Sequence, residues 1–132
     1  MPETDLPRGK ETILVVEDEL PVRELVGDVL RLQGYKVLTA EDGQTALQAA
    51  DAHAGHIDLV IVDIVIPGMH VKELVDRLMG ARPGLRILYI SGFTGDLVGQ
   101  QVGTATNFLQ KPFTVDGLAR KVREVLGARP ER

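Results

Sequence analysis

The run Leu59-Val60-Ile61-Val62 carries no polar residue on either of its alternating faces, and a carboxylate, Asp63, follows at once. A strand with one wet face would alternate, so an unbroken apolar strand has to be covered on both sides, as in a parallel sheet with helices above and below. Ile64, Val65 and Ile66 continue apolar until Pro67 and Gly68 force a turn, which puts Asp63 at the carboxyl end of the strand. A charge in that place is either a defect or a site.

A parallel sheet needs repeated strand-helix units, and the chain contains five. Ile13 to Val16 forms the first strand, and Pro21 opens a helix with Val22, Leu25, Val26, Val29 and Leu30 at helical spacing and Gly34 as its stop. Val37 to Ala40 is a second, more mixed strand, and Asp42 caps a helix carrying Ala46, Leu47, Ala49 and Ala50. The third unit joins the Asp63 strand to a helix from about His70 to Met79, with Val71, Leu74, Val75, Leu78 and Met79 along one stripe. Ile87 to Ile90 ends in Ser91 and precedes a short helix near Asp96 to Val102. Asn107 to Gln110 ends at Lys111-Pro112-Phe113, and Thr114 caps a last helix that buries Val115, Leu118, Val122 and Val125 and stops at Gly127.

The predicted fold is therefore α/β, a single doubly wound (βα)5 domain over residues 11–127. Strands one, three and four are the most apolar and belong in the centre, which is the flavodoxin-like order 2-1-3-4-5. Residues 1–10, with two prolines and no periodicity, read as a flexible arm or linker, and 128–132 as a tail. No apolar run is long enough to span a bilayer and no signal peptide opens the chain, the pattern expected of a cytoplasmic protein without membrane attachment. The net charge of −4 argues against direct nucleic-acid binding. Without cysteine, any metal has to be held by oxygen or imidazole.

Sheets of this kind carry their sites at the carboxyl ends of the strands. The polar residues just past those ends are Glu17 and Asp18 after strand one, Asp63 after three, Ser91 after four and Lys111 after five. Three crowded carboxylates raise one another's pKa unless a cation lies among them, so the group implies a hard divalent ion, magnesium before others. A hydroxyl and an ammonium suit a phosphoryl group, and an aspartate is a competent nucleophile for making an acyl phosphate. Taken singly, Ser91 reads equally well as a turn residue and Lys111 as a surface charge. Glu19 reads as a solvated first-turn acid. His53, His56 and His70 share no ligand spacing and read as surface residues, with His70 alone near enough to modulate the site.

Four pieces, V-V-E-D-E at 15–19, D-I-V-I-P-G-M at 63–69, I-S-G-F-T at 90–94 and F-L-Q-K-P-F-T at 108–114, resemble in order and context the receiver domain of two-component response regulators. The resemblance covers about residues 11–127. It implies that Asp63 accepts a phosphoryl group from a histidine of a sensor histidine kinase or histidine phosphotransfer domain. It further implies Glu17, Asp18, Asp63 and the Val65 backbone carbonyl as magnesium ligands, Lys111 and Ser91 as phosphoryl contacts, Ser91 and Phe108 as the switch pair, and a cis bond before Pro112. The protein is then a signalling module and not an enzyme, and the 7–19 stretch with the last two pieces resembles C-terminal receivers of hybrid sensor histidine kinases.

Glu17 in place of aspartate and Ile66 in place of methionine preserve chemistry and volume. His70 and Val71 stand where a small residue and glycine are usual, and valine resists a positive φ, so an altered loop backbone is expected there. One alternative is a constitutive docking module that phosphorylation does not regulate. A haloacid-dehalogenase-type phosphatase would need an aspartate at Val65, and a flavodoxin-type cofactor protein would need a Ser/Thr/Gly-rich loop after strand one. Val65 and Phe93, flanking the site, are expected to exclude water and slow loss of the phosphoryl group.

Overall fold

Alternation along each strand explains how the two sides of the sheet are covered. In a computed structural model, which describes residues 7–92, 99, 102 and 107–127, the strands are β1 (Thr12–Val16), β2 (Lys36–Ala40), β3 (Leu59–Asp63), β4 (Arg86–Ser91) and β5 (Asn107–Gln110). The helices are α1 (Leu20–Leu32), α2 (Gly43–Ala52), α3 (Val71–Ala81) and α4 (Val115–Leu126). All strand pairings are parallel, in the order β2-β1-β3-β4-β5. Leu14, Val16, Val60 and Val62 point to one face and pack with Ala46, Ala50, Val71, Leu74 and Leu78 of α2 and α3. Ile13, Val15, Leu59, Ile61, Leu88 and Ile90 point to the other, against Val26 and Leu30 of α1 and Leu118 and Val122 of α4. Burying each such Val, Leu or Ile contributes about 1.5–3 kcal/mol, which lets the sheet tolerate charges at its edge.

The helix boundaries follow local chemistry. Asp42 Oδ1 accepts from the Thr45 N–H at 2.7 Å while Thr45 Oγ1 accepts from the Asp42 N–H, a reciprocal cap. Thr114 Oγ1 accepts from the Gly117 N–H at 2.8 Å, and Gly127, at φ 85°, ends α4. His70 lies outside α3 and caps it, its Nδ1 accepting from the Lys72 N–H at 3.1 Å. Val71 is the first residue of α3 and is buried, and the left-handed turn in this loop falls on Gly68, at φ 88°. No described residue other than glycine has positive φ, so the backbone strain anticipated for valine does not arise. The helix read near Asp96 to Val102, with Phe93 before it, lies outside the described residues except for Gly99 and Val102. No helix among the described residues is long and apolar enough to cross a membrane.

The inner end of the stretch read as an arm is tied down. Gly9 N–H donates to the Gln33 carbonyl at 3.0 Å, and Arg123 of α4 donates to the Arg8 carbonyl and, at 2.6 Å, to Glu11 Oε2. Burial alone would raise the Glu11 pKa, but the Arg123 guanidinium and backbone N–H groups together outweigh it and hold the carboxyl below its usual range. Arg123→Gln should therefore cost about 1–3 kcal/mol at neutral pH, less than for a fully enclosed pair because water screens this one. Since the folded pKa of Glu11 is depressed, that contribution is present above its unfolded pKa and is lost as pH falls through the folded value. Urea unfolding at pH 7 and at about pH 3 should show the two proteins converging at the acid end. A gap of equal size at both pH values would contradict the assignment.

Candidate functional site

The register steps the polar strand ends across the sheet. Val16 pairs with Val62, which sets Glu17 level with Asp63. Asp63 pairs with Ile90, so Ser91 lies one residue further, and Ser91 pairs with Gln110, so Lys111 lies one further again. The Lys111 N–H continues the ladder by donating to the Ser91 carbonyl at 2.7 Å. Its side chain spans the offset and returns its ammonium to the carboxylates. Nζ lies 2.6 Å from Asp63 Oδ2, 2.9 Å from Glu17 Oε1 and 3.3 Å from Glu19 Oε1. The bond between Lys111 and Pro112 is cis.

Burial makes these contacts consequential. Glu17 is fully enclosed, Asp63 is 6% exposed and Ser91 1%. Glu17 Oε2 accepts from the Glu19 N–H at 3.1 Å, whereas Oε1, though near the Lys111 ammonium, has no aligned donor among the described residues. Burial pushes the Glu17 carboxyl well above its ordinary pKa, with the Asp63 charge adding to the rise and Lys111 opposing it. Burial would also lower the Lys111 pKa, but its hydrogen bond to Asp63 and the close carboxylate of Glu17 together outweigh burial and raise it. The second Asp63 oxygen, Oδ1, accepts from the Val65 N–H at 2.9 Å. That bond folds the start of the loop back over the carboxylate.

Carboxylate oxygens of Glu17, Asp18 and Asp63 lie within 4.8 Å of one another, with Asp18 exposed and the other two buried. An all-oxygen donor set with one buried, donor-poor oxygen is chemically suited to a hard divalent cation. Val65, expected to help exclude water, is on the same loop and is 59% exposed, and Phe93 lies outside the described residues. Phe108 is half-buried on β5 and packs on the α2–α3 side of the sheet.

Two residues take parts that sequence reading did not assign. Glu19 is exposed as anticipated but also pairs with Lys111, and the signal was its place as the third of three consecutive acids. Arg23 donates to the Glu17 carbonyl at 2.7 Å and is 3.4 Å from that of Asp18, holding the acidic loop's backbone from the first turn of α1. A basic residue six positions after Glu17 was the only hint.

Comparison with known proteins gives the same outline. A family profile described as the response regulator receiver domain matches residues 13–123. The sensor kinase CckA of Brucella abortus is 36% identical over 127 residues, a match covering 93% of this chain and 13% of that kinase. Sporulation initiation phosphotransferase F of Bacillus subtilis is 30% identical over 120 residues, covering 88% of this chain and 94% of the relative. The crystal structure of the receiver domain from the hybrid histidine kinase CckA is 37% identical, with a TM-score of 0.75 over 88% of this chain and 99% of that one. The chain spans 13%, 31% and 49% of the length of three curated relatives that it matches, so it corresponds to one part of each.

Proposed function

The chain belongs to the response regulator receiver domain family, phosphoacceptor modules of two-component signalling, and from that premise we propose that Asp63 is the residue that takes the phosphoryl group. The observation that carries the reading is the Lys111 ammonium 2.6 Å from the buried Asp63 carboxylate, with Glu17 on its other side. Asp63 is enclosed, held by Lys111 and by a backbone N–H of its own loop, and is the last residue of a central strand.

An Asp63 oxygen attacks the phosphorus of a kinase or phosphotransfer-domain phosphohistidine. A P–O bond forms as the P–N bond breaks, and the imidazole nitrogen leaves with the electron pair and takes up a proton. Lys111 neutralises charge on the phosphoryl oxygens, and the Ser91 hydroxyl is assigned to one of them. Glu17, Asp18, Asp63 and the Val65 carbonyl would hold magnesium, which supplies positive charge against the same oxygens. The domain assists only its own phosphorylation and its dephosphorylation, in which water takes the phosphoryl group, phosphate leaves and the Asp63 carboxylate is regenerated. Redistribution of Ser91 and of half-buried Phe108 on adjoining strands then alters the surface offered to a protein partner.

The functional unit is residues 11–127 with 128–132 as a tail, working in the cytoplasm. Likeness to CckA favours a place within a hybrid kinase, with a histidine kinase or phosphotransfer domain as donor. Acetyl phosphate or phosphoramidate with magnesium should add one phosphoryl group, read by intact mass, and a chelator should prevent it. No uptake in magnesium, or equal uptake in chelator, would overturn the proposal.

A further inference from the structure

We propose that Met69 is the positioning residue for the loop that carries Val65, and that Gly43, the first residue of α2, is the seat it occupies. The inference rests on the reading of Asp63 given above and extends it to a helix that contributes nothing to the acidic pocket.

Gly43 is buried, and its backbone is not in the left-handed region, so the conformation does not call for glycine. By helix propensity alone alanine would be the better residue there. The space explains the choice. A Cβ on Gly43 would stand 2.5 Å from Met69 Cγ, 2.8 Å from its Sδ and 3.1 Å from its Cε. Met69 thus fills the volume that a side chain at 43 would need, and it packs on the core at the α2–α3 side of the sheet. The seat is rigid, since the reciprocal Asp42–Thr45 bonds fix the first turn of α2.

The loop itself is weakly held between its ends. At one end the Ile64 N–H donates to the Ile90 carbonyl at 3.1 Å and the Val65 N–H to Asp63 Oδ1. Val65, Pro67 and Gly68 are exposed, and Gly68 is at positive φ with no side chain near it. Half-buried Ile66 and Met69 both pack on the α2–α3 side of the core, Met69 being the last anchor before α3, and its seat on α2 decides how steadily the Val65 amide stays over Asp63. Moving Met69 off its seat loosens Val65 without touching any residue of the pocket.

Gly43→Ala and Met69→Ala should have the same consequence, the first by displacing the methionine and the second by removing it. Hydrogen exchange of the Val65 N–H in metal-free protein should quicken about tenfold in either variant, with interior α2 amides unchanged. The double variant should be no faster than the single ones, because both act through one contact. Met69→Leu, which keeps an apolar side chain on the seat, should stay near wild type. Magnesium-dependent uptake from acetyl phosphate should slow in the two alanine variants and recover in the leucine variant. Unchanged Val65 exchange in Gly43→Ala, or multiplied effects in the double variant, would overturn the proposal. Exchange is read without metal or phosphodonor, so a wild type that takes up no phosphoryl group would remove the functional reading while this test kept its own outcome.

Discussion

Asp63→Asn is expected to abolish phosphoryl uptake from acetyl phosphate in magnesium while leaving the protein folded. The amide nitrogen has no available lone pair and the amide oxygen is a poor nucleophile, so no acyl phosphate forms. The effect on folding is small because two terms oppose. The single amide oxygen of asparagine keeps the bond from the Val65 N–H, which leaves the NH2 group facing the Lys111 ammonium, a donor against a donor. Losing that charged contact costs about 1–3 kcal/mol. Against this, the Asp63 charge no longer adds to burial, the main cause of the raised Glu17 pKa, so buried Glu17 is somewhat easier to keep ionised. The urea midpoint should therefore shift little while intact-mass labelling vanishes. Labelling of the asparagine variant at the wild-type rate would show that the nucleophile is elsewhere.

The strands that position this site were legible because their burial is written locally. Leu59 to Val62 and Ile13 to Val16 are apolar at every step, and only a strand covered on both faces needs that. Those two runs with Ile87 to Ile90, against the mixed character of Val37 to Ala40 and Asn107 to Gln110, imply the strand order, and strand order alone gathers Glu17, Asp63, Ser91 and Lys111 at one edge. Beyond this, local pattern stops informing. The stagger that makes Lys111 reach back past Ser91 depends on the register of β4 with β5, which no run of residues encodes by itself. Glu19 and Arg23 belong to the site through contacts made across a loop and a helix turn, and in sequence they look like any charged first turn. His70 and Val71 are a different case. Valine where glycine is usual implies an altered loop backbone only if that position needs a positive φ. Gly68 takes the positive φ instead, which frees Val71 to begin α3 inside the core and His70 to cap it.

Lys111→Met should separate two duties that the lysine combines. Methionine keeps most of the apolar stem, so the substitution chiefly removes the charge. In metal-free protein at neutral pH, Asp63 and Glu17 are then left facing each other without the ammonium that lies within 2.9 Å of both. Breaking an enclosed ion pair costs about 3–5 kcal/mol, and because 20% of the Lys111 side chain is exposed, screening brings the expected loss to about 2–3 kcal/mol. Its pH dependence has a definite sign. Without the lysine, the folded-state pKa of Glu17, already raised by burial, rises further above its unfolded value. The unfolded chain then loses its protons first as pH increases, so the deficit is greatest at neutral pH and shrinks toward about pH 5. Magnesium at a hundred times its dissociation constant stabilises by about 2.7 kcal/mol, which should restore most of the lost stability. It should not restore transfer, because the ammonium opposite the phosphoryl oxygens is still missing, and uptake should stay about a hundredfold slow. A variant as stable as wild type in chelator at pH 7 would show that Lys111 is not the counter-ion of the buried pair. A variant made stable by magnesium that also takes up phosphoryl at the normal rate would show that its ammonium does no work in the transfer.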